Sequence, residues 1–311
     1  MRVPMSVASW KSSWLALKRK LAMNCEGCGG LHSRRRRGKS RGVSLQGAWY
    51  CGAKCLERAL PSILEPRRRG GGSGASHRIP LGLLLLSRQQ LTAVQLRTAL
   101  EAQRSAGHSP AGHRKIGEWL QELGFATEWQ ITVALARQWS CPLLRGHPGS
   151  LGEIRLTSIP VLLLETFQMI PVELSEASQT LLMAFSEGID HSVLYAIEQM
   201  LGYRTQACLV CPSTLRRGLD ALRQLRGSGD VVFERQEDAG ECARIIASYA
   251  AKAEAEAIRF AHCGRHLWIR LERIEQETVN LVLRAPDGGP EIRSSDPPAP
   301  GPRPPPEIRS A

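Results

Sequence analysis

The chain says nearly the same thing twice, thirty-five residues apart. Gly82 recurs as Gly117, Leu85 as Leu120, Leu96 as Ile131, Leu100 as Leu135 and Gln103 as Gln138, while Leu81 and Thr92 are echoed by Ile116 and Thr127. Similarity at a fixed period marks one supersecondary unit used more than once, and two copies are too few for a solenoid. Each copy reads as a short helix, a turn and a longer helix. Thr92 with Gln95, and Thr127 with Gln130, form T-x-x-Q capping boxes in which each side chain satisfies a free backbone N–H at the start of the second helix. Leu96, Leu100 and Gln103 then stand at i, i+4 and i+7, as do Ile131, Leu135 and Gln138, so each copy sets two apolar side chains and an amide on one helical face. Gly82 and Gly117 fall at the start of the first helix, where a missing side chain lets another group approach the backbone. Leucines at helical spacing are also the ordinary signature of a core, so spacing alone leaves a ligand stripe and a packing stripe both open.

The two phrases, LGLLLLSRQQLTAVQLRTALEAQ and IGEWLQELGFATEWQITVALARQ, resemble the tandem LG-x-x-L … L-x-x-x-L-x-x-Q motifs of the MshEN domain. That domain is the amino-terminal domain of type II secretion and type IV pilus ATPases of the GspE and PilB kind. The likeness extends to about Leu225. It implies binding of cyclic di-GMP, as in some members, by Leu81, Gly82, Leu85, Leu96, Leu100 and Gln103 of the first copy and Ile116, Gly117, Leu120, Ile131, Leu135 and Gln138 of the second. Apolar stripes would cover purine faces, amides would pair with polar edges, and helix starts would meet phosphates. The sequence departs from the pattern where Pro80 replaces a basic residue before the first LG, where Gln89 replaces a glycine, and in a longer spacer from Arg104 to Lys115. Arg114 or Lys115 is the candidate phosphate contact of the second half. Partners implied are components of the secretion or pilus machinery, and the place implied is the cytoplasm, including its inner-membrane face.

Cysteines supply a second constellation. Cys25 and Cys28 form a C-x-x-C, and Cys51 and Cys55 a C-x-x-x-C after 22 intervening residues. Two close thiolate pairs suit one tetrahedral Zn²⁺, and glycines at 27, 29 and 52 suit the tight turns that ligand pairs require. With Trp49 and Tyr50 before the second pair and a helix-like run after it, the segment resembles a treble-clef or ribbon finger. The expected metal is structural and stands in for a core that so short a segment cannot build. His32 is an alternative ligand. Arg34 to Arg37 form a basic loop whose contact with nucleic acid or an acidic surface is the weaker alternative to a solvated charge run.

Charge is uneven. Residues 1–70 hold 16 of the 41 Lys and Arg but 3 of the 29 Asp and Glu, which leaves a nearly neutral remainder of 25 basic and 26 acidic residues. Such an arm suits nucleic acid, an anionic membrane or an acidic partner without distinguishing them. No run approaches the roughly 20 apolar residues that a membrane span needs. GKS at 38–40 is no phosphate-binding loop, because Ser33 stands where the pattern needs glycine. With no such loop after the doubled unit, and no nucleophile, base and acid set, the chain reads as a non-enzyme without the ATPase motor.

The expected fold is α+β: a tandem helical-pair subdomain and a small α/β sandwich, preceded by a zinc-ribbon-like module and followed by a further α+β segment. The parts are a basic arm (1–22, with Met1 or Met23 as the start), the four-cysteine module (23–60), a Gly/Arg linker (61–77), the doubled motif (78–143), an α+β subdomain (144–226), a last α+β segment (229–285) and a proline-rich tail (286–311). The functional expectation is a regulator or adaptor that binds cyclic di-GMP. The alternatives are a protein-interaction module with no nucleotide ligand and a zinc-finger nucleic-acid-binding protein.

Overall fold

The computed structural model describes residues 22–33, 35–36, 39–40, 42–64, 78–106, 114–145, 159–225, 230–233, 238–273 and 278–284. Residues 1–21 of the expected arm (1–22), residues 65–77 of the expected linker (61–77), the side chains of Arg34 to Arg37 and the proline-rich tail lie outside the described residues, whereas residues 61–64, expected as linker, continue a helix whose Leu64 is buried.

The chain is α+β, as expected. Short strands open it: β1 (Ala22–Asn24) pairs with β2 (Leu31–Ser33), β3 (Arg35–Arg36) with β4 (Lys39–Ser40), and β5 (Val43–Leu45) with β6 (Ala48–Tyr50), before helix α1 (Ala53–Leu64). The doubled phrase forms four helices, α2 (Leu81–Ser87), α3 (Ala93–Ala106), α4 (Ile116–Glu122) and α5 (Glu128–Gln138). Each copy is the expected short helix, turn and longer helix, and both capping boxes form, with Thr92 N–H donating to Gln95 Oε1 (2.9 Å) and Thr127 N–H to Gln130 Oε1 (2.8 Å).

Helix α6 (Val161–Thr166) leads into a three-stranded sheet of β7 (Met169–Ser175), β8 (Thr180–Phe185) and β9 (Arg204–Leu209). β7 and β8 are antiparallel. β9 runs parallel to β8, and the parallel pair is joined by helix α7 (His191–Leu201), because two parallel strands need a crossover. Asp190 caps α7 by accepting from Ser192 N–H (2.8 Å), Gly202 ends it at φ 78°, and helix α8 (Pro212–Leu225) packs on β7. This is the strand, strand, helix, strand, helix order that the alternation of apolar runs predicts.

The last part holds β10 (Val231–Phe233), α9 (Ala239–Lys252), β11 (Ala257–Cys263), β12 (His266–Glu272) and β13 (Val279–Arg284). Its strands do not form a sheet of their own. Segments 23–60 and 229–285 meet in one six-stranded sheet, ordered β10-β13-β12-β11-β5-β6. The junction is parallel, with Ser44 beside Ala257 and Leu45 beside Ile258, and Ser44 N–H donates to Glu256 O (2.8 Å).

One face of this sheet is covered by α1 and α9. Leu56, Leu60 and Leu64 recur every four residues along α1 and bury against Ala243, Ile246, Ala247 and Ala250 of α9, over Leu45, Ile258, Ile269 and Leu281 of the strands. The cysteine segment therefore has a core after all, shared with residues two hundred positions away, and a metal need not replace one. The other face carries Ala261, Cys263, Trp268 and Val282 into the core of the α/β sandwich. A chain of hydrogen bonds that starts in the core fixes that contact: Trp268 Nε1–H donates to Asn280 Oδ1 (3.1 Å), and, half-buried, Asn280 Nδ2–H donates to Asp230 Oδ1 (3.4 Å) and Val161 N–H to Asp230 Oδ2 (3.1 Å). Among the described residues no helix is long and apolar enough to cross a membrane.

Candidate functional site

The doubled unit is cross-braced. The first helix of each copy packs on the second helix of the other, α2 on α5 and α4 on α3. Gln103 Nε2–H donates to Arg114 O (2.8 Å), just before the second copy's first helix, and Gln138 Nε2–H donates to Ile79 O (2.6 Å), just before that of the first copy. Ile79 and Arg114 are themselves thirty-five residues apart. So the amide that ends each copy holds the entrance of the other, which is the reciprocity of an approximate two-fold axis between the copies.

The twelve expected ligand residues separate by burial. Leu85 and Leu120 are wholly buried, and Leu81, Gly82, Gly117 and Ile131 are buried with them. Half-buried are Leu96, Leu100 and Gln103 with Ile116, Leu135 and Gln138, and these form the part of the motif that reaches the surface. The glycines have a packing reason: a Cβ on Gly82 would lie 2.7 Å from Leu96 Cδ1, and one on Gly117 would lie 3.3 Å from Ile131 Cγ2 and 3.4 Å from Leu81 Cδ2. Their bare backbones let the two helices of each copy close together.

Both cations expected to meet a phosphate are paired. Arg114 bonds Glu118 (3.2 Å) and Glu122 (2.5 Å), which hold its guanidinium above its ordinary pKa, and Lys115 bonds Glu187. Arg78 lies over the ring of Trp139 at 3.3 Å, and Trp139 packs near His191 and against Gly188. Trp139 is a residue that the repeat pattern misses, since it directly follows Gln138 and has no counterpart after Gln103. Among the described residues, the ring nitrogen of Trp119 and Gln90 Oε1 are buried and find no hydrogen-bond partner, an uncommon state for buried polar atoms.

At the other site, Cys25, Cys28, Cys51 and Cys55 bring all four Sγ atoms within 4.8 Å of one another. Cys28 and Cys51 are 3.9 Å apart and Cys51 and Cys55 3.7 Å, close to the edge of about 3.8 Å of a tetrahedron with metal–sulfur bonds of about 2.3 Å. The knuckle is built locally: Gly29 N–H donates to Cys25 O (2.7 Å), Cys25 N–H to Gly30 O (3.0 Å), and Gly29 turns at φ 67°. A Cβ on Gly27 would stand 2.6 Å from that of Cys55, so this glycine admits the second ligand pair. Cys55 sits in the first turn of α1. His32, the alternative ligand, touches Cys28 Sγ from outside the set (Nε2 at 3.3 Å).

Burial pushes the Cys25 thiol up, but backbone N–H groups of Cys51, Cys28 and Gly27 outweigh it and hold the group down at about 6. Cys51 is pushed up to about 12, first by burial and then by the thiols of Cys25, Cys55 and Cys28, and Cys55 is also raised by burial. The Cys25 thiolate forms readily, whereas those of Cys51 and Cys55 need a cation among them. Four sulfurs that fill a tetrahedron leave no position for a substrate, so the residues fit a structural metal.

No protein-family model and no curated protein sequence matches the chain. Among solved structures it is similar to MshE with cdg, at 28% identity over 46% of this chain and 99% of that chain, with a TM-score of 0.37. It is also similar to the N-terminal domain of XpsE in two crystal forms, at 18% identity over 45% of this chain and 91% of that one (TM-score 0.35), and at 19% over 45% and 92% (TM-score 0.25).

Proposed function

We propose that this protein is a non-enzymatic regulator or adaptor, related to the N-terminal domain of type II secretion and type IV pilus ATPases, that takes cyclic di-GMP on the doubled unit and passes its state to secretion or pilus components. The observation that carries the reading is the reciprocal pair Gln103 to Arg114 O and Gln138 to Ile79 O. A cyclic dinucleotide is made of two equivalent halves, and a face whose two halves brace each other offers each of them the same surroundings. Leu96 and Leu100 on one side, and Ile116 and Leu135 on the other, supply half-buried apolar area for the bases. Arg78, stacked on Trp139, has no carboxylate partner among the described residues, whereas Arg114 and Lys115 must leave theirs to reach a phosphate. Cys25, Cys28, Cys51 and Cys55 hold Zn²⁺ as a structural ion.

Calorimetric titration of the full chain with cyclic di-GMP tests the proposal. Binding should be saturable, and Gln103→Ala with Gln138→Ala should weaken it tenfold or more, about 1.4 kcal/mol. No heat at ligand concentrations up to about 100 μM would instead favour a protein-interaction module, in which the stripe is core and the amides serve as internal braces. That second reading draws on the engaged state of both amides and of Arg114 and Lys115.

A further inference from the structure

Helices α1 and α9 come from opposite ends of the chain and lie side by side on the six-stranded sheet. Between their outer faces opens a cleft of about 550 Å³. Lys54 and Arg58 line it from α1, one helical turn apart, and Arg244 lines it from α9. All three are exposed, and among the described residues none has a carboxylate partner. Two carboxylates also border the cleft. Asp238 is committed, since its Oδ1 accepts the N–H of Glu241 (2.6 Å) as the cap of α9, and Glu57 is half-buried. α1 has no acidic residue in its first turn, so nothing of its own offsets Lys54 there.

We propose that this cleft binds the phosphodiester backbone of a single-stranded nucleic acid, a role independent of the nucleotide reading of the doubled unit. The lining favours a strand over a membrane: among the described residues none of the exposed large apolar side chains borders this open cleft, whereas a membrane surface site combines cations with apolar groups that insert. Cations spread over two helices, with Lys54 and Arg58 about 6 Å apart along the axis of α1, meet successive phosphates of a strand better than they surround one free phosphate.

The test is fluorescence anisotropy of a labelled single-stranded oligonucleotide of about 16 nucleotides with the full chain over a salt series. Lys54→Ala, Arg58→Ala and Arg244→Ala together should weaken binding at least tenfold at about 0.1 M salt. They should also make the slope of log affinity against log salt shallower by about 2, since each lost phosphate contact accounts for about 0.7. Glu57→Gln should tighten binding about twofold by removing a like charge to the phosphates. The three cations are exposed, so the variant keeps its fold, which circular dichroism checks. A triple variant that binds with unchanged affinity and slope assigns all binding to the arginine runs at 34–37 and 67–69 and overturns the proposal. So does a chain that binds phosphatidylserine vesicles but not the oligonucleotide.

Discussion

Gln89 and Gly124 occupy equivalent turns after the first helix of each copy, and both take left-handed backbone, at φ 57° and 68°. Glycine adopts that conformation freely, whereas a residue with a Cβ loses roughly 1–2 kcal/mol there. Gln89→Gly should therefore stabilise the protein by about 1 kcal/mol, part of the relief being returned as extra freedom of the unfolded chain. Chemical denaturation reads the shift in midpoint. The first-helix glycines should behave in the opposite way: Gly82→Ala drives a methyl to within 2.7 Å of Leu96 and should cost about 1–3 kcal/mol, and Gly117→Ala, with its nearest neighbour at 3.3 Å, should cost less. Equal losses at the two positions would contradict the packing role assigned to them. The pattern shows that a glycine is wanted at 82 and 117, but it cannot tell a gap left for a ligand from a gap filled by the next helix. Here Leu96 and Ile131 stand in the gaps.

Among the elements, those with a strong period were legible. Thr92 and Thr127 cap where the T-x-x-Q pattern puts them, and β7, β8, α7, β9 and α8 follow the order of apolar runs. Partnership was not legible. Val43 to Tyr50 is too short to show a period, and nothing in it specifies a parallel neighbour at Ala257. The swap of helices between copies is likewise written in three dimensions, because Gln103 and Gln138 show only that each stripe ends in an amide, not that each amide reaches the other copy. At the hairpin of β11 and β12, burial pushes the pKa of His262 below its ordinary 6.5, and burial together with Arg284 lowers that of His266. A base whose folded pKa is depressed contributes stability that is fully present above the unfolded value. That stability is lost as pH falls from about 6.5 through the lowered values. The melting temperature should therefore fall on acidification below about pH 6.5, and His266→Asn should flatten part of the fall at equal metal content.

At the scale of the whole molecule, the six-stranded sheet ties the ends of the chain to its middle. One face takes α1 and α9, and the other enters the sandwich core through Ala261, Cys263, Trp268 and Val282. Removing a metal from the four cysteines should therefore loosen more than the knuckle. Chelation, or Cys28→Ser, should raise amide hydrogen exchange through β5, β6 and the neighbouring β11, while β8, paired on both sides within its own sheet, stays protected. Exchange changes confined to residues 22–33 would show the knuckle to be a separate unit.

The parallel junction of β5 and β11 also sets a schedule for the chain as it is made. Leu45 leaves the ribosome more than two hundred residues ahead of Ile258, the residue it lies beside. At about 5–20 residues per second that interval is roughly 10 to 40 s, during which β5 and the apolar side of α1 have no sheet to join. The four thiols all lie between residues 25 and 55, so an ion taken up by them would give this stretch something to fold around while it waits, and a nascent chain starved of metal would spend those seconds with Leu45, Leu56 and Leu60 uncovered.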